Sequence, residues 1–197
     1  MTLTSSTMPE LGIPAPAFSL PDIDGRMVSL EDFSADPALL VAFWCNHCPY
    51  VRHIRDGFTA FARDYQPRGL GIVAISANDV STHPEDGPES MKIEADRHGF
   101  TFAYLYDESQ RVAWAYAAAC TPDFLLYDGP GNDGRRKLVY RGQFDAARPG
   151  NDVPVTGQDL RRTVDTLLAG EPLPDDQLPS IGCNIKWKPG NEPPYFG

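Results

Sequence analysis

The sequence predicts an α/β domain with a central mixed β-sheet flanked by helices, and three observations predict it. Residues 39–44 are a nearly unbroken apolar run, the pattern of a central strand covered on both faces. Residues 70–76 are a second such run, and a helical stripe lies between the two, so strand, crossover helix and strand form a βαβ unit with parallel strands. Residues 124–127 and 137–143 flank a loop rich in Gly, Pro and Asn and read as an antiparallel hairpin, which makes the sheet mixed.

The elements follow in order. Residues 1–10 are small and polar and read as a flexible tail preceding a domain over residues 11–170. Asp24-Gly25 between short apolar segments signals an opening β-hairpin. The central strand then breaks abruptly into Cys45-Asn46-His47-Cys48-Pro49. Pro49 suits a first helical position, where a missing N–H costs nothing and its fixed φ is already helical. Val51, Ile54, Phe58, Phe61 and Tyr65 recur at steps of three and four, so one stripe of this helix is apolar, with Gly57 weakening it. Residues 78–87 form a polar loop, 88–98 a helix closed by Gly99, 102–106 a third strand, and 109–119 an alanine-rich helix. Thr156-Gly157-Gln158-Asp159 fits a capping box for a last helix whose apolar side is Leu160, Val164, Leu167 and Leu168. From residue 171 the composition shifts to proline and acid, so 171–197 reads as an extension packed along the domain.

With 197 residues, 42% of them hydrophobic, the chain has core enough for one domain. A net charge of −10 with no basic run disfavours nucleic acid and anionic membranes as partners. Neither a secretory leader nor an apolar run of membrane-spanning length is present, so the expected location is cytoplasmic. The four cysteines stand at 45, 48, 120 and 183, and in a reducing compartment a close pair is more often catalytic or metal-binding than structural.

Sulfur at a helix start has a definite chemistry. The free N–H groups and the positive end of the helix dipole favour the thiolate, lowering a thiol pKa from about 8.5 toward roughly 3.5 to 7.5. His47, Arg52 and Arg55 add positive charge nearby. Two such cysteines three residues apart form and reopen a disulfide, so Cys45 and Cys48 are the catalytic candidates.

Phe43-Trp44-Cys45-Asn46-His47-Cys48-Pro49 resembles the active-site segment of the thioredoxin superfamily, in particular bacterial redoxins related to the peroxiredoxin (alkyl hydroperoxide reductase/thiol-specific antioxidant) branch. Cys120-Thr121-Pro122 resembles the turn in which a proline, cis in that family, opens the next strand beside the active-site sulfur, and residues 179–188 resemble the tail of a peroxiredoxin-like subfamily. The resemblance implies a thioredoxin fold with an N-terminal β-hairpin and a C-terminal extension. It implies a thiol–disulfide oxidoreductase acting on protein or small-molecule thiols and disulfides, with peroxidase activity as the alternative. No organic cofactor is implied, and electrons would come from a cellular thiol reductant. Trp44, Asn46, His47, Pro49, Thr121 and Pro122 become active-site neighbours, and the Thr121 backbone would pair with an extended substrate chain.

Two registers compete for the nucleophile. An ordinary C-x-x-C reading makes Cys45 the attacker. Aligned without gaps from Phe43-Trp44, the family pattern instead puts the attacker at Cys48-Pro49, with Cys45 as resolver, and this register is preferred here. Peroxiredoxins carry an arginine near the start of the late strand, where this chain has Thr121-Pro122, which weakens a dedicated peroxidase reading. Cys120 and Cys183 are auxiliary thiol candidates: Cys120 reads as an acceptor of the disulfide from the pair or a small buried residue, and Cys183 as a remote resolver swung in by the tail, with a packed or exposed thiol the preferred reading. His47 is read as a modulator of the thiols or a passive surface group, and His53, His83 and His98 as surface residues. A copper or zinc site built on Cys45, His47 and Cys48 is the remaining alternative, although no second C-x-x-C or H-x-x-H completes it.

Overall fold

The computed structural model describes residues 3–196. The apolar run becomes strand β4 (Ala38–Phe43), every residue of which is buried. Its alternating side chains feed two cores. Leu40, Ala42 and Trp44 point to one face, with Phe58, Phe61, Leu160 and Val164. Leu39, Val41 and Phe43 point to the other, with Phe18, Val112, Tyr116, Ile185 and Trp187. This two-sided burial is why the run is continuous rather than alternating.

Five strands form the main sheet. β5 (Leu70–Ser76) and β6 (Ala103–Tyr106) lie parallel to β4 on one side; on the other, β8 (Asp123–Tyr127) runs antiparallel to β4 and β9 (Leu138–Gly142) antiparallel to β8, in the order β6-β5-β4-β8-β9. Helices α1 (Pro49–Tyr65), α2 (Pro88–His98) and α4 (Gln158–Leu168) cover the first face, and the short α3 (Arg111–Ala115) lies on the second. The hairpin β2 (Ser19–Pro21) and β3 (Met27–Ser29) forms at Asp24-Gly25, where the Asp22 carboxylate accepts from the Asp24 and Arg26 amides. This is the thioredoxin-type α/β arrangement. Among the described residues no helix is long and apolar enough to cross a membrane.

Several expectations need correction. Residues 3–5 are not a loose tail: β1 (Leu3–Ser5) pairs antiparallel with β10 (Ile181–Asn184), which itself pairs with the two-residue β7 (Cys120–Thr121). The Leu-Thr-Ser segment becomes ordered because a second strand satisfies its backbone, which composition does not reveal. The helix expected over 109–119 spans only Arg111–Ala115, since Ala117 adopts φ 53° and ends the element despite the alanine run. No capping box starts α4. Gly157 is its N-cap at φ 66°, and the Asp145 carboxylate accepts from the Thr156 and Gly157 amides instead.

Candidate functional site

β4 delivers Trp44 and Cys45 into the core, the chain turns through Asn46-His47, and α1 begins. Cys48 is the N-cap of α1 in extended geometry, and Pro49 occupies the first turn. Trp44 is fully buried beneath the motif, its ring 5.0 Å from that of Phe58 and 6.5 Å from that of Phe124. Phe58 and Phe61, also fully buried, tie α1 to the sheet at roughly 1.5–3 kcal/mol each. The helix start that presents Cys48 is therefore anchored along its whole apolar stripe.

The Asn46-His47 turn is held by a residue that sequence reasoning missed. Asp86 lies fully buried in the 78–87 segment. One of its oxygens accepts from the Asn46 and His47 amides at 2.7 and 3.0 Å, and the other bonds His47 Nδ1 at 2.5 Å and Asn78 Nδ2 at 2.8 Å. Burial alone would raise the Asp86 pKa, but His47, Asn78 and the His47 amide outweigh it and hold the carboxyl below its ordinary value. Tyr104 donates to Asn46 Oδ1 at 2.9 Å, and Asn46 donates to the Glu85 carbonyl at 2.7 Å. His83 is no bystander on the surface. Its ring packs 4.6 Å from that of His47, and burial together with the neighbouring His47 lowers its pKa. No local pattern marks Asp86. The only signal was the acidic pair Glu85-Asp86 fenced by Pro84 and Pro88, with nothing to single out the second acid.

Three sulfurs meet at Cys48. Its Sγ lies 2.8 Å from Cys183 Sγ and 3.2 Å from the Thr121 carbonyl oxygen, while Cys45 Sγ lies 3.2 Å from Thr121 Oγ1. Hydrogen bonds from the Cys183 and Cys45 thiols, with the Val51 and Cys183 amides, outweigh burial and lower the Cys48 thiol to about 2. Cys45 is pushed well above its ordinary value, first by burial and then by the adjoining Cys48 and the Asp86 charge. Cys183 is raised by its hydrogen bond to Cys48 and by burial. Cys120 stands apart from this contact, its sulfur 3.8 Å from the Pro122 carbonyl oxygen and its pKa raised by burial. The Thr121–Pro122 peptide bond is cis.

The Thr121 edge is not open to an incoming chain, as the resemblance implied. β10 occupies it, with Cys183 opposite Thr121 and Asn184 opposite Cys120. A ring nitrogen of His47 and an oxygen of Asp86 lie within 4.8 Å of Cys45 Sγ and of each other, the spread of a three-ligand metal site. The donor set argues against one. All four lone-pair directions of the Asp86 carboxylate are already engaged by Asn46, His47 and Asn78, so an ion would have to displace the bonds that hold the turn.

Residues 11–144 match the AhpC/TSA family. The chain belongs to that family. Among AhpC/TSA relatives, a putative peroxiredoxin from Mycobacterium tuberculosis is 32% identical over 118 residues, covering 60% of this chain and 69% of its own. A thiol-disulfide oxidoreductase from Geobacillus thermodenitrificans is 28% identical over 147 residues, covering 71% and 74%. The crystal structure of an uncharacterized conserved protein from Geobacillus kaustophilus superposes with a TM-score of 0.91 at 50% identity, over 96% of this chain and 98% of that one. The family match ends at residue 144, so Cys183 lies outside it.

Proposed function

We propose that this AhpC/TSA-family chain is a thiol–disulfide oxidoreductase in which Cys48 attacks and Cys45 resolves. The observation that carries the reading is the position of Cys48. It is the N-cap residue of α1, its Sγ meets that of Cys183 at 2.8 Å, and the Cys183 and Cys45 thiols with the Val51 amide hold its pKa well below the ordinary thiol value, which favours the thiolate. The thiolate attacks one sulfur of a disulfide, expels the other as a thiolate and forms a mixed disulfide. Burial is the first cause of the raised Cys45 pKa, and once Cys48 is bonded the further contribution of its hydrogen bond and charge falls away. The His47–Asp86 pair, within 4.8 Å of Cys45 Sγ, is placed to take the Cys45 proton. Cys45 then displaces the bound sulfur, leaving a Cys45–Cys48 disulfide for an external thiol to reduce.

One observation favours a second reading as a thiol-dependent peroxidase: Cys45, Cys48 and Cys183 are each at most 2% exposed, which suits a small oxidant better than a bulky one. Against it, the strongest influences on Cys48 are neighbouring thiols and amides rather than a guanidinium that would polarise a peroxide. The separating experiment compares turnover of a small disulfide with turnover of hydrogen peroxide, both coupled to the same reductant. Disulfide kcat/KM at least tenfold above that for peroxide supports the exchange reading, and the reverse ratio overturns it.

A further inference from the structure

We infer that Cys183 is a third redox thiol: Cys48 and Cys183 form an intrachain disulfide, with β10 lying as a built-in substrate strand against Thr121. The inference rests on the reading of Cys48 as nucleophile. Four observations carry it. The two sulfurs are 2.8 Å apart, about 0.8 Å beyond a bond of ~2.05 Å. Cys183 stands opposite Thr121 in the ladder, so the tail fills the place where an extended chain would present its sulfur to Cys48. The approach of β10 is too close for any side chain at the residue before Cys183, since a Cβ at Gly182 would fall 2.0 Å from the Thr121 carbonyl oxygen. The strand is also fixed on both flanks of Cys183. The Ser6 amide donates to the Ser180 carbonyl, and beyond it the Ile185 amide donates to the Ala119 carbonyl and the Lys186 amide to Asn78 Oδ1.

The step balances as follows. Cys48 thiolate attacks a disulfide RS–SR′, forming Cys48–S–S–R and releasing R′S⁻. Cys183 then attacks Cys48 Sγ, the Cys48–S–S–Cys183 bond forms, and RS⁻ leaves with the proton that Cys183 gives up. Two electrons pass from the two cysteines to the substrate disulfide, and an external dithiol returns them. The raised Cys183 pKa fits the order of events, because Cys183 keeps its proton while Cys48 is charged and loses it once that charge is spent. Reduced, β10 is held by its hydrogen bonds alone. Oxidised, it is covalently stapled over the site.

The test uses the full chain with Cys45→Ser, treated with one equivalent of 2,2′-dithiodipyridine, acid-quenched, alkylated and peptide-mapped without reduction. The expected result is two pyridine-2-thiones per chain and a Cys48–Cys183 linked peptide, falling to one thione and a persistent Cys48 adduct when Cys183→Ser is added. Unfolding midpoints of both variants within a few degrees of wild type establish that the folds are intact, and slower amide exchange across residues 181–184 in the oxidised Cys45→Ser chain reports the staple independently. A single thione with Cys183 still alkylatable, while wild type releases two, overturns this inference and leaves the proposed function standing. No thione from wild type overturns both.

Discussion

The turn at residues 44–49 and the strand at residues 181–184 both end on the Cys48 sulfur, yet they reach it by different means. The turn is local: strand β4, two linking residues and the first turn of α1, with one distant clamp at Asp86. The strand comes from 135 residues away and is placed almost wholly by backbone pairing, with β1 on one side and β7 on the other. Of the contacts that lower the Cys48 pKa, the strand supplies the largest, the Cys183 thiol, and the turn and helix start supply the Cys45 thiol and the Val51 amide. The strand excludes solvent and brings a second thiol to the same atom. A sulfur that is both strongly acidic and fully buried needs both contributions, since burial without compensating donors raises a thiol's pKa, as at Cys120.

The largest expected effect falls on the local half. Cys48→Ser should lower disulfide turnover by at least about 10³-fold with the unfolding midpoint nearly unchanged, read by steady-state kinetics beside thermal unfolding. A residual activity above a tenth would move the nucleophile elsewhere.

A large effect on stability belongs to the clasp that β1, β10 and β7 form at the Thr121 edge. Asp123 is buried at the start of β8, accepts from Ser6 Oγ just past β1 at 3.0 Å, and burial raises its pKa to about 7 against the opposing hydroxyls of Ser6 and Ser180. A carboxyl raised above its unfolded value near 3.9 contributes stability that is complete below that value and is lost as pH rises through about 7. Urea unfolding of wild type should therefore show stability falling by a few kcal/mol between about pH 4 and pH 7 from this group, and Asp123→Asn should remove that slope. An unchanged slope in the variant would take Asp123 out of the clasp's pH response.

Asp86→Asn addresses the clamp on the turn. It keeps the shape but loses the charge that orients His47, so the resolving step should slow by about 10²-fold while the first attack on a disulfide is nearly unaffected. Rapid-quench trapping of the mixed disulfide checks the split. Equal slowing of both steps would mean that Asp86 serves only to hold the backbone. The smallest change, Gly182→Ala, forces a Cβ against the Thr121 carbonyl oxygen and should cost about 1–3 kcal/mol, with faster amide exchange confined to residues 3–6 and 180–184. Exchange rising over α1 as well would show that the two halves are not separable.

The local half was legible in the sequence because its information is local. An apolar run, a proline after Cys48 and a three-four stripe from Val51 to Tyr65 specify strand, N-cap and helix within 27 residues, from 39 to 65. Thr121-Pro122 was legible through the resemblance, and its cis bond is present. Asp86 was not, because one of three acids in a polar loop has no periodicity to mark it, and its partners at 46 and 47 are joined to it only by the fold. Cys183 was read as a remote resolver carried by the tail only behind its reading as a packed or exposed thiol, since strand pairing between residues 121 and 183 leaves no mark in either segment alone. The Ala117–Ala119 run misled in the opposite direction: alanine favours helix wherever packing is indifferent, and here the chain had to turn into β7.

The most direct test of the central claim is to react reduced wild-type protein with a substoichiometric small disulfide, quench in acid within milliseconds, and identify by peptide mass spectrometry which cysteine carries the adduct. The account predicts the adduct on Cys48 at the earliest time, decaying as an intrachain disulfide to Cys48 appears. First adduct on Cys45, with Cys48 still titratable, would contradict it.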